Sequence, residues 1–282
     1  MAEAIPAWGP HPEVWLIVAA LVATYAILVV RSGPSRVAQG EVVVSRLQIA
    51  SFSLGAFTLL FASTWPIHDV AEGSMYSAHM VQHLLYTLIA APLILMGTPA
   101  WMMRILLPGR LLKTMAWWSR FLPALILFNT MIVLTHWPAL VDLALQSAIF
   151  HFVVHAALLI SAFVIWMPIL SPLPEIPRLV APMKVGYLFL QSIVPTVPAT
   201  FLTFGSRPLY RRYEELPKLW GASALDDQLI AGLIMKIGAG LLLWAVIAVI
   251  FFRWAASEES RNRPDKALRE MDRELIEMGL RK

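Results

Sequence analysis

Residues 75–99 read MYSAHMVQHLLYTLIAAPLILMGTP, two histidines at the head of an apolar run. His79 and His83 are four apart, so in a helix both imidazoles leave one face a turn apart, close enough to hold one metal ion. From Leu84 onward the stretch has the apolarity of a membrane-spanning helix. Polar, metal-competent side chains at the mouth of such a helix are expensive to keep in lipid, so the pair reads as a site.

The rest of the chain has the same character. Of 282 residues, 59% are hydrophobic and 14% charged, against roughly 25% charged in a soluble domain; with a mean hydropathy of +0.69 this is an integral membrane protein. There is no cysteine, which excludes disulfides, thiolate metal sites and cysteine nucleophiles and leaves His, Met, Asp and Glu as ligands. The net charge of +4 does not argue for nucleic acid, because the basic residues are spread over membrane-flanking loops. The first twelve residues hold no Lys or Arg, so no cleavable signal peptide is expected.

Apolar runs long enough to cross a bilayer, about 20 residues, predict seven helices at 14–30, 47–67, 78–98, 121–137, 148–170, 182–204 and 228–252. The expected fold is an all-α polytopic bundle of seven transmembrane helices over residues 1–253, followed by a charged tail at 254–282. Pro195 and Pro198 should kink helix six. Gly232, Gly238 and Gly240 should let a neighbour approach helix seven closely. In the tail, Leu268, Met271, Leu275 and Met278 stand at helical spacing, giving an amphipathic cytoplasmic helix.

Positive loops stay in the cytoplasm. With seven helices, seventeen of the 22 Lys and Arg fall on one side, from Arg31, Arg36 and Arg46 to the eight in the tail. The loop 205–227 opposes them with Arg207, Arg211, Arg212 and Lys218. The N-terminus is therefore expected outside and the C-terminus in the cytoplasm, which sends all seven histidines to the outer half.

On that side two His-x-x-x-His pairs, His79 with His83 and His151 with His155, enter the membrane together. If helices three and five touch, four imidazoles could close one metal site. His68, His136, Met75 and Met80 are accessory ligand candidates; thioethers beside imidazoles suit Cu(I). Asp226 and Asp227 precede helix seven, where capping would account for both. Lys236 lies about two turns inside that helix, where it must snorkel, pair with a carboxylate such as Asp227, or line a polar cavity, so it is a functional suspect. Trp8, Trp15, Trp65, Trp101, Trp117, Trp118, Trp137 and Trp220 fall mainly at helix ends as interfacial anchors.

Three stretches resemble the CtaG cytochrome c oxidase assembly factors of bacterial membranes. They are HMVQHLL with APLILMGTP (79–85 and 91–99), HFVVH (151–155) and DDQLIAGLIMKIGAG (226–240). The resemblance covers about residues 14–252. It implies a multi-pass protein of the bacterial plasma membrane that acts in the assembly of a haem-copper oxidase, most plausibly on its copper. The residues it carries over are His79, His83, His151, His155, Asp227 and Gln228, with Asp227 an accessory metal candidate. The family usually has an apolar or aromatic residue, often Trp, where this chain has Lys236. A single-spanning copper chaperone that shares the CtaG name relies on cysteines and is a different protein.

The expected function is non-enzymatic: copper held at the extracytoplasmic end is handed to an oxidase subunit. Membrane lipid is the other expected partner, with self-association as an option and no nucleic acid. Two competing readings use the same histidines. Facing helices could ligate haem b for electron transfer. A di-iron type membrane metalloenzyme would need more histidines, and no carboxylate lies inside any of the seven expected helices.

Overall fold

The computed structural model describes residues 5–278, less the side chains of 262–270, 272, 274 and 277. It is all helical among the described residues. Six apolar helical stretches are long enough to cross a membrane: Pro12–Ser35, Arg46–Gly73, Tyr76–Gly97, Ala148–Leu170, Ala181–Phe204 and Ala224–Arg261. A bent pair, Arg110–Trp118 and Phe121–Thr135, which turn 82° at the break between them, makes a seventh if the two count as one span. Phe121–Thr135 has 15 residues, about 22 Å at 1.5 Å each, shorter than the roughly 30 Å hydrocarbon layer.

The elements that position the site can be named in order. Helix α1 spans Pro12–Ile27, α2 Arg46–Ala62, α3 Ile67–Gly73 and α4 Tyr76–Leu84. A π-helical turn, Leu85–Ala90, carries α4 into α5, Ala91–Gly97. After α6 (Ala100–Leu106) and α7 (Arg110–Trp118) come α8, Phe121–Thr135, and α9, Pro138–Gln146. Then follow α10, Ala148–Leu170, α11, Ala181–Ile193, α12, Thr196–Phe204, α13, Arg211–Glu215, α14, Ala224–Leu233, and α15, Ala239–Glu277.

The stretch that opened the sequence reading is the centre of the bundle. In Tyr76–Gly97, 61% of the most apolar window is buried inside the molecule, against 11–33% in the other five long stretches. It is held there by close backbone approach. A Cβ on Gly97 would lie 2.5 Å from the Phe52 nitrogen, and one on Gly55 would lie 2.9 Å from the Ile94 nitrogen. The α2–α5 crossing therefore requires glycine on both helices. On the other flanks α10 packs against α8 and α5, and α14 against α4 and α12.

Helix six breaks where its prolines predicted, between α11 and α12 at Pro195. Of the three glycines expected to admit a neighbour, Gly232 does so, with Ala199 O 3.0 Å from its would-be Cβ. Gly238 admits only Leu84 Cδ2 at 3.3 Å, and Gly240 has nothing within 4 Å. Helix α15 runs unbroken from the last span into the charged tail, with Met271 and Met278 exposed. The Leu268 side chain and residues 279–282 lie outside the described part of the tail.

Candidate metal centre

Helix α4 starts where a buried carboxylate receives its first amides. Asp227 Oδ2 accepts the Tyr76 N–H at 2.7 Å and Oδ1 accepts the Ser77 N–H at 3.0 Å. One turn on, His79 and His83 share a face with ring centroids 4.3 Å apart. Helix α10 starts at Ser147, whose Oγ accepts the Phe150 N–H at 3.3 Å, and this sets His151 and His155 on one face at 4.1 Å. The two faces meet: His83 Nε2 and His155 Nε2 are 3.2 Å apart, and the His79 and His155 rings are 5.3 Å apart. Ligand-capable atoms of His79, His83 and His155 all lie within 4.8 Å of one another. His79 Nδ1 and His83 Nδ1 are buried with no hydrogen-bond partner, an uncommon condition for buried polar atoms.

The fourth imidazole belongs to a second group. His151 Nε2 lies 3.0 Å from Glu72 Oε1, which also lies 3.1 Å from His68 Nε2. His68, Glu72 and His151 likewise place their ligand atoms within 4.8 Å of one another. The groups join at α10, where His151 Nε2 faces His155 Nδ1 at 3.1 Å. The four paired histidines thus do not surround one point; three converge, and His151 turns to α3.

Ring contacts connect all seven histidines of the chain into one cluster. His11 lies 4.9 Å from His68, His68 5.9 Å from His151, and His83 6.1 Å from His136. His136 Nε2 is 3.4 Å from Met80 Sδ, so Met80 supports His136 in the core beside His83. Met75 is buried at the start of α4, where its carbonyl accepts the His79 N–H at 3.4 Å.

Asp227 serves α4 rather than its own helix, whose capping box is made by Ser223 and Asp226. Gln228 ties the neighbouring loop down by accepting the Leu209 N–H at 2.6 Å and donating to Leu202 O at 3.2 Å. Lys236 is exposed, and its Nζ bonds Thr196 Oγ1 at 2.5 Å, away from Asp227. The ammonium beside Asp227 is that of Lys218, 3.8 Å from Oδ2 and donating to Ser74 O and Tyr213 O at 2.6 Å each. Burial draws Lys218 below the usual lysine range, and the Asp227 carboxylate opposes that shift.

The loop carrying Lys218 covers the histidine end. Tyr210 Oη donates to His136 O at 3.1 Å and Tyr213 Oη to Ala71 O at 2.7 Å. Burial pushes the Tyr210 phenol up to about 12 and that of Tyr213 well above its usual range.

Glu72 is not among the candidates that the sequence offers, because residues 68–77 fall between the expected helices 47–67 and 78–98. They form α3, and Glu72 stands four residues after His68. That is the spacing that singled out the histidine pairs, and it was the available signal. A carboxylate thus reaches the histidines from a helix outside the seven expected.

Two clefts flank the imidazoles, one of about 460 Å³ beside His68, Glu72 and His151, the other of about 320 Å³ beside His79, His83 and Met131. Three neutral imidazoles from two packed helices are a donor set for Cu, Zn or Fe. A haem between His83 and His155 would need about 4 Å for two metal–nitrogen bonds of about 2 Å end to end, more than the 3.2 Å separating their Nε2 atoms.

No curated protein and no solved structure matches the chain. Residues 23–257 match the model of a family described as cytochrome c oxidase caa3 assembly factor. That match takes in both three-residue groups, with His11 outside it, and on it the chain belongs to the cytochrome c oxidase caa3 assembly factors of the CtaG family.

Proposed function

We propose that this assembly factor binds copper through His79, His83 and His155 and passes it to a haem-copper oxidase subunit docked at the same end. The observation that carries this reading is the convergence of three imidazoles from α4 and α10 within 4.8 Å, two of them with buried ring nitrogens lacking a partner. Imidazole binds borderline first-row ions well, and a site without thiolates releases them more readily than one built on cysteine. The role is binding and handover, with no reaction catalysed.

The protein sits in the bacterial plasma membrane with the histidine end outside. The excess of Lys and Arg at the other side supports this orientation. The exceptional basic loop 205–227 packs over the histidines through Tyr210 and Tyr213, and its Lys218 is committed to carbonyls and Asp227. It therefore counts less as a free positive loop.

Copper per purified chain is the test. His79→Ala, His83→Ala and His155→Ala each lower it and lower oxidase activity in cells; full copper in all three variants would refute the reading.

A further inference from the structure

We propose that His68, Glu72 and His151 form a second metal position, an outer station for a divalent first-row cation next to the inner triad. Glu72 Oε1 lies 3.1 Å from His68 Nε2 and 3.0 Å from His151 Nε2. A tetrahedral ion with bonds of about 2.0–2.1 Å holds its ligand atoms about 3.3 Å apart; both Glu72–imidazole separations are within a few tenths of an ångström of that, and all three ligand atoms lie within 4.8 Å of one another. The donors sit on α3 and α10, whose helical spacing fixes them. Two imidazoles and one carboxylate form a harder set than the all-imidazole triad, and suit Cu(II) or Zn(II).

The surroundings favour a cation. The outer group opens on the 460 Å³ cleft, which is also lined by His11 and Glu13 and by no Lys or Arg. Asp69 stands behind it, 3.0 Å from His11 Nε2. Acidic lining of this kind concentrates cations at a mouth.

The ligand protons also have a place to go. A neutral imidazole that binds an ion through Nε2 keeps its one proton on Nδ1. At His68, Nδ1 lies 3.1 Å from the Gln82 amide nitrogen, and the Gln82 Oε1 has no partner. Turning that amide supplies the acceptor, at the expense of its donations to Ala62 O and Tyr86 Oη.

His155 links the two positions. Its Nε2 faces His83 at 3.2 Å and its Nδ1 faces His151 at 3.1 Å. An ion released by the outer group is therefore one imidazole away from the inner one. The outer position goes beyond the copper reading above and stands or falls separately from it.

The test uses the full chain in detergent, stripped with chelator, loaded with Cu(II) and washed. Elemental analysis counts the ions, and electron paramagnetic resonance reports whether two Cu(II) ions broaden each other. Wild type is expected to hold two ions, and Glu72→Gln and His68→Ala one each, with a sharpened signal. His83→Ala also drops to one, by losing the inner ion. If Glu72→Gln and His68→Ala bind as many ions as wild type, the outer position is overturned, and Glu72 is a hydrogen-bond anchor for two N–H groups. If those two variants lose one ion while His79→Ala and His83→Ala lose none, the outer position stands and the inner site of the proposed function fails.

Discussion

Asp227 accepts the Tyr76 amide at 2.7 Å across 151 residues of sequence. The last long apolar stretch thereby sets the start of the helix that presents His79 and His83. The carboxylate is 1% exposed, so removing it uncaps α4 and also takes a partner from Lys218.

We predict that Asp227→Ala destabilises the fold by about 2 kcal/mol, the upper range for a lost cap, and lowers metal binding by freeing the start of α4, whose Tyr76 and Ser77 amides it holds. Asp227→Asn keeps one amide acceptor and should fall between. Thermal unfolding in detergent together with metal content checks both. An Asp227→Ala melting temperature equal to wild type would remove the cap from the account.

Lys236 and Lys218 should behave oppositely. Lys236 is exposed and bonds only the Thr196 hydroxyl among the described contacts, so Lys236→Leu should change stability by no more than about 0.5 kcal/mol and leave the metal count alone. Lys218→Met strips the donor from Ser74 O and Tyr213 O and leaves Asp227 without its nearby cation, at about 2–3 kcal/mol. A metal loss in Lys236→Leu would return that residue to the site.

The cover over the histidines should open at alkaline pH. The Tyr210 phenol is raised to about 12 in the fold, above an unfolded value near 10. Its neutral form is favoured by folding, so the contribution is whole below pH 10 and is lost as pH rises from 10 towards 12. The slope is about 1.4 kcal/mol per unit in that window. Denaturation followed against pH should be shallower above 10 in Tyr210→Phe than in wild type; identical slopes would mean that Tyr210 is not the titrating group.

The spans and the histidine pairs were legible because they are local. Apolar run length marks a crossing helix, and spacing of four marks a shared helical face, with no need to know the neighbours. Even Glu72 carried that mark after His68, and was passed over because a seven-residue helix is too short to show as an apolar run. The division of four imidazoles into three and one was not legible. It depends on how α3 and α10 are set against the α4–α5 stretch, through α3–α4 and α10–α5 packing between residues distant in the chain. Asp227 was read as the cap of its own helix for the same reason. Proximity in the chain suggested one partner, and the fold supplied another.

The gathering of all seven imidazoles at a single end has a consequence for directionality. A carrier that moves an ion through a bilayer needs coordinating stations on both sides of its midplane and alternating access between them. Here the stations stop at the depth of His83, His136 and His155, and no imidazole continues towards the far leaflet. On the proposed function, an ion bound by this cluster would be exchanged at the histidine end with the subunit that docks there.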